Sequence, residues 1–158
     1  MIRWQFVRGS GLSSAAIAWF SSGVFSHVDT VLPDGRLLGA RSDTVGGITP
    51  GVRIRPANYE KWAHRMVMEI PCTAWQENAY YEFLHKQIGK PYDKRAIWGF
   101  VTGRNWRDDD SWICSEVTAA SAEAGTLFPR LYLPVNKITP VALACLGSAI
   151  KGKIAYSS

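Results

Sequence analysis

The sequence predicts an α+β fold in which a small antiparallel sheet packs against helices. Short stretches rich in β-forming residues are grouped in the first half of the chain, at 3–7, 25–32, 36–40, 52–55 and 65–70. Apolar residues recur at helical spacing in the second half, at 73–88, 111–124 and 140–146. Strands in one block with helices before and after them are typical of α+β proteins rather than of alternating α/β proteins.

Length and composition fit one globular domain, which we take as residues 1–158. Of these residues, 47% are hydrophobic and 20% charged, which excludes a disordered chain and allows a sizeable core. The net charge of +5 favours anionic partners, but the basic residues are scattered, so no specific nucleic-acid site is predicted. No apolar run approaches the roughly 20 residues that a membrane span requires.

The strand predictions rest on β-branched and aromatic residues that stand between turn signals. The stretches 25–32 and 36–40 flank Pro-Asp-Gly at 33–35, which is a turn sequence, and the three together predict a β-hairpin. Residues 52–55 alternate apolar and basic side chains, as a strand at the edge of a sheet does.

Most of the predicted helices have recognisable start and stop signals. Residues 12–21 imitate a short signal peptide, but Gly-Ser-Gly at 9–11 interrupts the run and no cleavage site follows, so we interpret them as a domain helix. Thr73 is placed to cap the helix 73–88, and Pro140 suits the first turn of the last helix. A further short helix is predicted over 94–102.

Cys114 stands near the start of the predicted helix 111–124. Ser111 or Asp110 can cap this helix through a side-chain oxygen, and Gly125 is placed to end it. The free N–H groups and the dipole of a first helical turn stabilise negative charge, so the thiolate of Cys114 is favoured. A thiolate within reach of a histidine is a nucleophile. The apolar positions of the helix predict a narrow buried stripe of Ile113, Val117, Ala120 and Ala124.

Three histidines are available as a base for this cysteine. His27 lies in a predicted strand among apolar neighbours, where it needs a polar partner, either a catalytic group or a backbone carbonyl. His64 and His85 have no such context. We interpret Cys72 as structural and Cys145 as a small core residue. The three cysteines show no metal-ligand spacing, and their odd number argues against a disulfide framework.

Three short motifs follow one another in an informative order. They are Ser-His-Val at 26–28, Gly-Lys-Pro-Tyr-Asp at 89–93 and Trp-Ile-Cys-Ser-Glu at 112–116. Together they resemble the circularly permuted papain-like amidases of the YaeF/YiiX-type branch of the NlpC class, over roughly residues 5–125. In that family the first motif supplies the general base and the last the nucleophile. The resemblance therefore implies a permuted papain-like fold with His27 and Cys114 as the catalytic pair.

The third catalytic group is missing from its usual place. Members of the family carry a glutamate in the strand after the histidine strand, where this chain has Gly39. Asp29 shares a strand face with His27, because side chains alternate along a strand, and it is our candidate for the missing group. Asp43, a backbone carbonyl or a water molecule are the alternatives.

The resemblance implies a cysteine peptidase or amidase that forms a Cys114 acyl-enzyme with His27 as base. The expected substrate is an amide of the cell-wall peptide, γ-glutamyl or isopeptide type, in a bacterial or phage setting. A lipid acyl hydrolase or transferase on the same site is an alternative, and so is a non-catalytic binding or structural module, which Gly39 favours. No cofactor and no metal is expected. The lack of a convincing signal peptide predicts a cytoplasmic or phage-associated protein.

Overall fold

The computed structural model describes residues 1–8, 24–93, 110–129 and 135–157. The strands in these residues are β1 (Ile2–Arg8), β2 (His27–Val31), β3 (Leu37–Arg41), β4 (Gly51–Arg55), β5 (His64–Ile70) and β6 (Lys153–Ser157). The helices are α1 (Ala74–Lys86), α2 (Cys114–Ala124) and α3 (Pro140–Ala149), with a 3-10 turn at Val135–Lys137. The helices predicted over 12–21 and 94–102 lie outside the described residues. No helix of the described part is long and apolar enough to cross a membrane.

The six strands form one antiparallel sheet in the order β4-β3-β2-β1-β5-β6. The predicted hairpin is confirmed as β2 and β3, and its turn has Gly35 at φ +85° with the Gly35 N–H donating to the Leu32 carbonyl at 2.9 Å. β4 lies at one edge, as its alternating pattern predicts. β6 at the other edge was not predicted, because its apolar residues Ile154 and Tyr156 are exposed and give no buried period.

α1 is fixed to the centre of the sheet through a buried tyrosine. The cap predicted at Thr73 is confirmed, since its hydroxyl accepts from the Gln76 N–H at 3.2 Å. One turn further on, Tyr80 is fully buried, and its hydroxyl accepts from Trp4 Nε1 at 3.1 Å and lies 2.6 Å from Thr30 Oγ1. These bonds satisfy the buried polar atoms and hold α1 against β1 and β2.

α2 is buried on nearly every side, so the prediction of a narrow apolar stripe was wrong. Ala120 and Ala124, two of the four stripe residues, are only half-buried, whereas polar positions are enclosed. The Ser115 hydroxyl donates to the Ile138 carbonyl at 2.6 Å, and Ser121 donates at 2.7 Å to the carbonyl four residues before it. Because small hydroxyl side chains are satisfied by backbone carbonyls, a rather polar helix can be buried here.

The segment 89–93, which carries the Gly-Lys-Pro-Tyr-Asp motif, links the edge of the sheet to the start of α2. The Val52 N–H donates to the Lys90 carbonyl at 2.9 Å, and the Gly89 N–H donates to the Val52 carbonyl at 3.1 Å. Trp112 exchanges two backbone hydrogen bonds, each 3.1 Å long, with the last three residues of the segment. Through these backbone hydrogen bonds, the motif fixes the position at which α2 begins relative to the edge of the sheet.

Gly51 makes the close approach of this segment to β4 possible. Its φ is +109°, and a Cβ atom there would lie 2.5 Å from the Lys90 carbonyl oxygen. We expect Gly51→Ala to lower the free energy of unfolding by about 3 kcal/mol, since backbone strain and a steric clash act together. Urea denaturation followed by tryptophan fluorescence measures the loss.

Gly35→Ala is the matched control for this substitution. Gly35 also has a positive φ, +85°, but a Cβ there would meet nothing within 4 Å. The control variant should therefore lose only about 1 kcal/mol, the value of the left-handed backbone alone. Equal losses in the two variants would contradict the steric role assigned to Gly51.

Candidate active site

Cys114 is the first residue of α2, and Ile113 before it is extended, with φ −95° and ψ 162°. The predicted cap by Ser111 or Asp110 was wrong, because the helix begins later and no side chain caps it. The Glu116 carboxylate instead accepts from the Ile113 N–H at 3.4 Å. The thiol therefore lies in the first turn, where unpaired N–H groups and the helix dipole stabilise an anion.

β2 brings His27 and Asp29 together on one face. Their side chains project to the same side because they are two residues apart along the strand. His27 Nε2 lies 2.9 Å from Asp29 Oδ2, as a close ion pair that falls short of a linear hydrogen bond. His27 is 9% exposed and Asp29 1%, so the pair is shielded from solvent.

The thiol of Cys114 meets the histidine from the other side. The two groups are close enough for each to shift the pKa of the other, and the backbone of Val28 also helps to lower the pKa of the thiol. Since Nε2 of the ring faces Asp29, Nδ1 is the nitrogen left for the thiol. The structure thus brings together all three residues that the sequence singled out, in the order cysteine, histidine, carboxylate.

The charges in this chain of residues support one another. Burial tends to raise the pKa of the Cys114 thiol, but the charge and hydrogen bond of His27 lower it below its usual range. Burial tends to lower the pKa of His27, but the charges of Asp29 and Cys114 raise it to about 9. Against the effect of burial, the charge of His27 and hydrogen bonds from His27 and Tyr59 lower the pKa of Asp29. Compared with the isolated side chains, the site therefore favours a thiolate beside an imidazolium.

Gly39 leaves free the space that the Asp29 carboxylate occupies. A Cβ atom on Gly39 would lie 2.1 Å from Asp29 Oδ1 and 3.1 Å from its Cγ. A contact below 3.0 Å is one that real Cβ atoms essentially never make. The position where the resembled family carries a glutamate is therefore filled by a carboxylate that reaches in from the neighbouring strand.

Tyr59 is the residue of this site that sequence reasoning missed. Its hydroxyl donates to Asp29 Oδ2 at 2.7 Å from the connection between β4 and β5. The contact joins residues thirty positions apart, and the connection has no periodic pattern or motif. No signal in the sequence distinguishes this tyrosine from the others.

The remaining candidate residues lie outside the site. Asp43 pairs with Arg41, whose Nε and Nη2 donate to its two carboxylate oxygens at 2.8 and 2.9 Å. His64 is exposed at the start of β5, and His85 is exposed on α1. Cys145 is exposed on α3, so its assignment to the core was wrong; the apolar run around it covers more than the buried face of that helix.

An apolar cleft of about 770 Å³ runs along the C-terminal half of α2. Trp112 lies two residues before Cys114, the first residue of α2. Together with Phe83 and Phe128 it forms part of the wall of the cleft. The edge of the Phe83 ring meets the Trp112 ring, with centroids 6.1 Å apart. One wall of the cleft is thus two residues from Cys114 along the chain, and the cleft is lined mainly by apolar side chains.

Comparisons with known proteins establish the fold. No family model matches the chain, and no curated protein matches it. A crystal structure described as the metalloprotein yiiX from Escherichia coli O157:H7, DUF1105, is similar with a TM-score of 0.58 and 17% identity, over 92% of this chain and 79% of that one. yiiX belongs to the YaeF/YiiX papain-like family that the motifs resemble. The predicted α+β fold is thereby confirmed as one that this chain shares with yiiX.

Proposed function

We propose that this chain is a thiol hydrolase of the permuted papain-like type, which cleaves an amide bond through a Cys114 acyl-enzyme. The observation that carries the proposal is the buried arrangement of Cys114, His27 and Asp29 at the N-terminus of α2. The fold shared with yiiX supports the papain-like type. The substrate class, a cell-wall peptide, a γ-glutamyl amide or an isopeptide, follows from the motif resemblance.

The first half of the reaction uses the preformed ion pair. The Cys114 thiolate attacks the carbonyl carbon, and the negative charge passes to the carbonyl oxygen of the tetrahedral intermediate. The backbone N–H of Cys114 at the helix start is placed to donate to that oxygen. His27 then gives its proton to the leaving nitrogen, the carbon–nitrogen bond breaks, and a thioester remains on Cys114.

The second half returns the site to its starting state. Neutral His27 accepts a proton from water, and the resulting hydroxide equivalent attacks the thioester carbon. Collapse of the second intermediate releases a carboxylic acid and the Cys114 thiolate beside an imidazolium. Asp29 stays ionised throughout; it orients the ring and stabilises its positive charge.

A metal-dependent reaction has less support in this chain. yiiX is described as a metalloprotein. Among the described residues, however, no three His, Cys, Asp or Glu side chains are grouped so that they could hold a metal ion. His27 is the histidine of the site, and its Nε2 already pairs with Asp29. The residues that the structure describes do not fit a metal centre, and the proposed reaction has no metal step.

Selective alkylation tests the proposal. We expect iodoacetamide near neutral pH to modify Cys114 far faster than Cys72 or Cys145, as measured by mass spectrometry of the three cysteine peptides. The thiolate should persist below the pKa of an ordinary thiol, because the pKa of Cys114 is lowered, and be lost only as the pH falls through that lowered value. Cys145 is the more demanding control, since it is exposed and access alone predicts the opposite order.

Equal rates at the three cysteines would sink the proposal. The ultraviolet absorbance of the thiolate, taken as the difference between wild type and Cys114→Ser, is a second measurement that does not depend on reagent access. Its absence near neutral pH counts equally against an ion pair with His27.

A lipid acyl hydrolase or transferase is the second candidate, and the apolar cleft favours it. An acyl chain is apolar and flexible, so a cleft lined by aromatic and aliphatic side chains suits it. Trapping the acyl-enzyme by mass spectrometry with lipid ester and peptide amide donors separates the two candidates. The Asp29 carboxylate beside Gly39 supports a catalytic site over the alternative of a non-catalytic module.

A further inference from the structure

We infer that Tyr59 is a positioning residue of this site, whose hydroxyl holds the Asp29 carboxylate in place behind His27. The inference rests on the proposed function of Cys114 and His27 and deepens it. Tyr59 touches neither the thiol nor a reacting atom in the proposed reaction; it acts through the carboxylate.

The first support is that one oxygen of Asp29 lies between a hydrogen-bond donor and the charged ring of His27. Tyr59 donates to Oδ2 at 2.7 Å, and His27 Nε2 lies 2.9 Å from the same oxygen. Oδ1 has no hydrogen-bond partner among the described residues. Asp29 is 1% exposed, so bulk water does not replace a lost donor. The direction of the carboxylate is therefore set by His27 and Tyr59.

The second support is that the Tyr59 ring is itself held on two sides. The Arg41 guanidinium lies 5.2 Å from the ring centroid, and its Nη1 donates to the Tyr59 hydroxyl at 3.2 Å. Trp62 packs against the ring edge to face, at 5.0 Å and 89°. Arg41 is anchored in turn by Asp43 and by Glu60, the latter at 2.8 Å. Because the hydroxyl accepts from Arg41, its own proton is directed at Asp29.

The third support is that Tyr59 remains a donor over the working pH range. Burial and the charge of Asp29 raise its pKa well above the ordinary value, although Arg41 opposes this. Several other charged or titratable groups act on Asp29 and Tyr59 from the surrounding elements. They are His27 on β2, Arg41 on β3, Arg55 on β4 and Cys114 on α2, while Asp43 in the connection after β3 acts on Arg41 and His27.

Tyr59→Phe tests the inference, because it keeps the ring and removes the hydroxyl. Without that donor, Asp29 takes up a proton more readily, and His27 loses its counter-charge at a higher pH. We expect the acid limb of the Cys114 alkylation rate, measured with iodoacetamide across pH, to move upward by about one pH unit, since a hydrogen bond to a charged group is worth about that much. On the acid side of the limb, the rate should fall about tenfold.

Tyr156→Phe is the matched control. Its ring also lies beneath an arginine, with Arg65 at 5.3 Å from the centroid, but the residue is exposed on β6. We expect its acid limb to coincide with that of the wild type. A loss of packing or of a surface hydroxyl alone therefore does not produce the predicted shift.

The outcomes separate this inference from the proposed function. An unshifted acid limb in folded Tyr59→Phe, with Cys114 still selectively reactive, overturns the role of Tyr59 and leaves the thiol hydrolase standing. A wild-type Cys114 that reacts no faster than Cys72 overturns the hydrolase itself. If Tyr59→Phe fails to fold, Arg41→Lys removes the 3.2 Å anchor of the hydroxyl and should shift the limb in the same direction by less. An unshifted limb in that variant overturns the inference.

Discussion

Replacing His27 with glutamine is expected to slow the alkylation of Cys114 near neutral pH by about 100-fold. The histidine charge and its hydrogen bond are the main effects that lower the pKa of the thiol, whereas burial raises it. Without them, burial dominates, and a rise of about two pKa units beyond the working pH reduces the thiolate fraction about 100-fold. The rate constant at Cys114, followed by mass spectrometry, reports the change directly.

The pH dependence of the alkylation rate should also differ between the wild type and His27→Gln. In the wild type the thiolate is present above a lowered pKa, so the rate should level off at a lower pH than for an ordinary thiol. In His27→Gln the rate should still be rising tenfold per pH unit at that pH, because the thiol remains protonated there. His85→Gln is the control, since His85 is exposed on α1 and stacks on Tyr81 at 6.0 Å, away from the site. Matching losses in both histidine variants would mean that His27 has no special relation to the thiol.

Much of the fold was predictable because its signals are local. The hairpin follows from Pro-Asp-Gly at 33–35, and the start of α1 follows from the cap at Thr73. The burial of α2 was not predictable from its own sequence. It depends on Ser115 finding the Ile138 carbonyl, which is a contact between distant segments. Periodicity describes which residues are apolar, and it does not reveal which polar residues have found partners.

In the candidate site, too, the residues with local sequence signals were predicted and those that depend on distant contacts were not. Motif order led to Cys114 and His27, and alternation along β2 led to Asp29. Tyr59 was missed because nothing local marks a tyrosine that reaches a carboxylate from another connection. The reason for a glycine at position 39 was hidden from the sequence in a related way, because it lies in the Asp29 side chain that occupies this space from the next strand.

Moving the carboxylate from β2 to β3 is expected to restore a site that neither single change leaves intact. Asp29→Ala removes the counter-charge of His27, and we expect Cys114 alkylation near neutral pH to fall about tenfold. Gly39→Glu alone places a Cβ 2.1 Å from Asp29 Oδ1 and adds a second carboxylate beside the first. Its free energy of unfolding should fall by about 3 kcal/mol or more, through overpacking and like charge.

The double variant Asp29→Ala with Gly39→Glu removes the clash and returns a carboxylate to the place where the resembled family carries it. The two substitutions share one space, so their effects should be strongly non-additive: the double variant should be more stable than Gly39→Glu and more reactive than Asp29→Ala. Urea denaturation and the Cys114 alkylation rate measure the two recoveries separately. Recovered stability without recovered reactivity would show that the two substitutions compensate only sterically, and that a carboxylate at position 39 does not orient His27. Recovery of both would mean that a carboxylate at position 29 on β2 and one at position 39 on β3 do the same work. A chain that lacks the glutamate of the resembled family would then still have a complete triad.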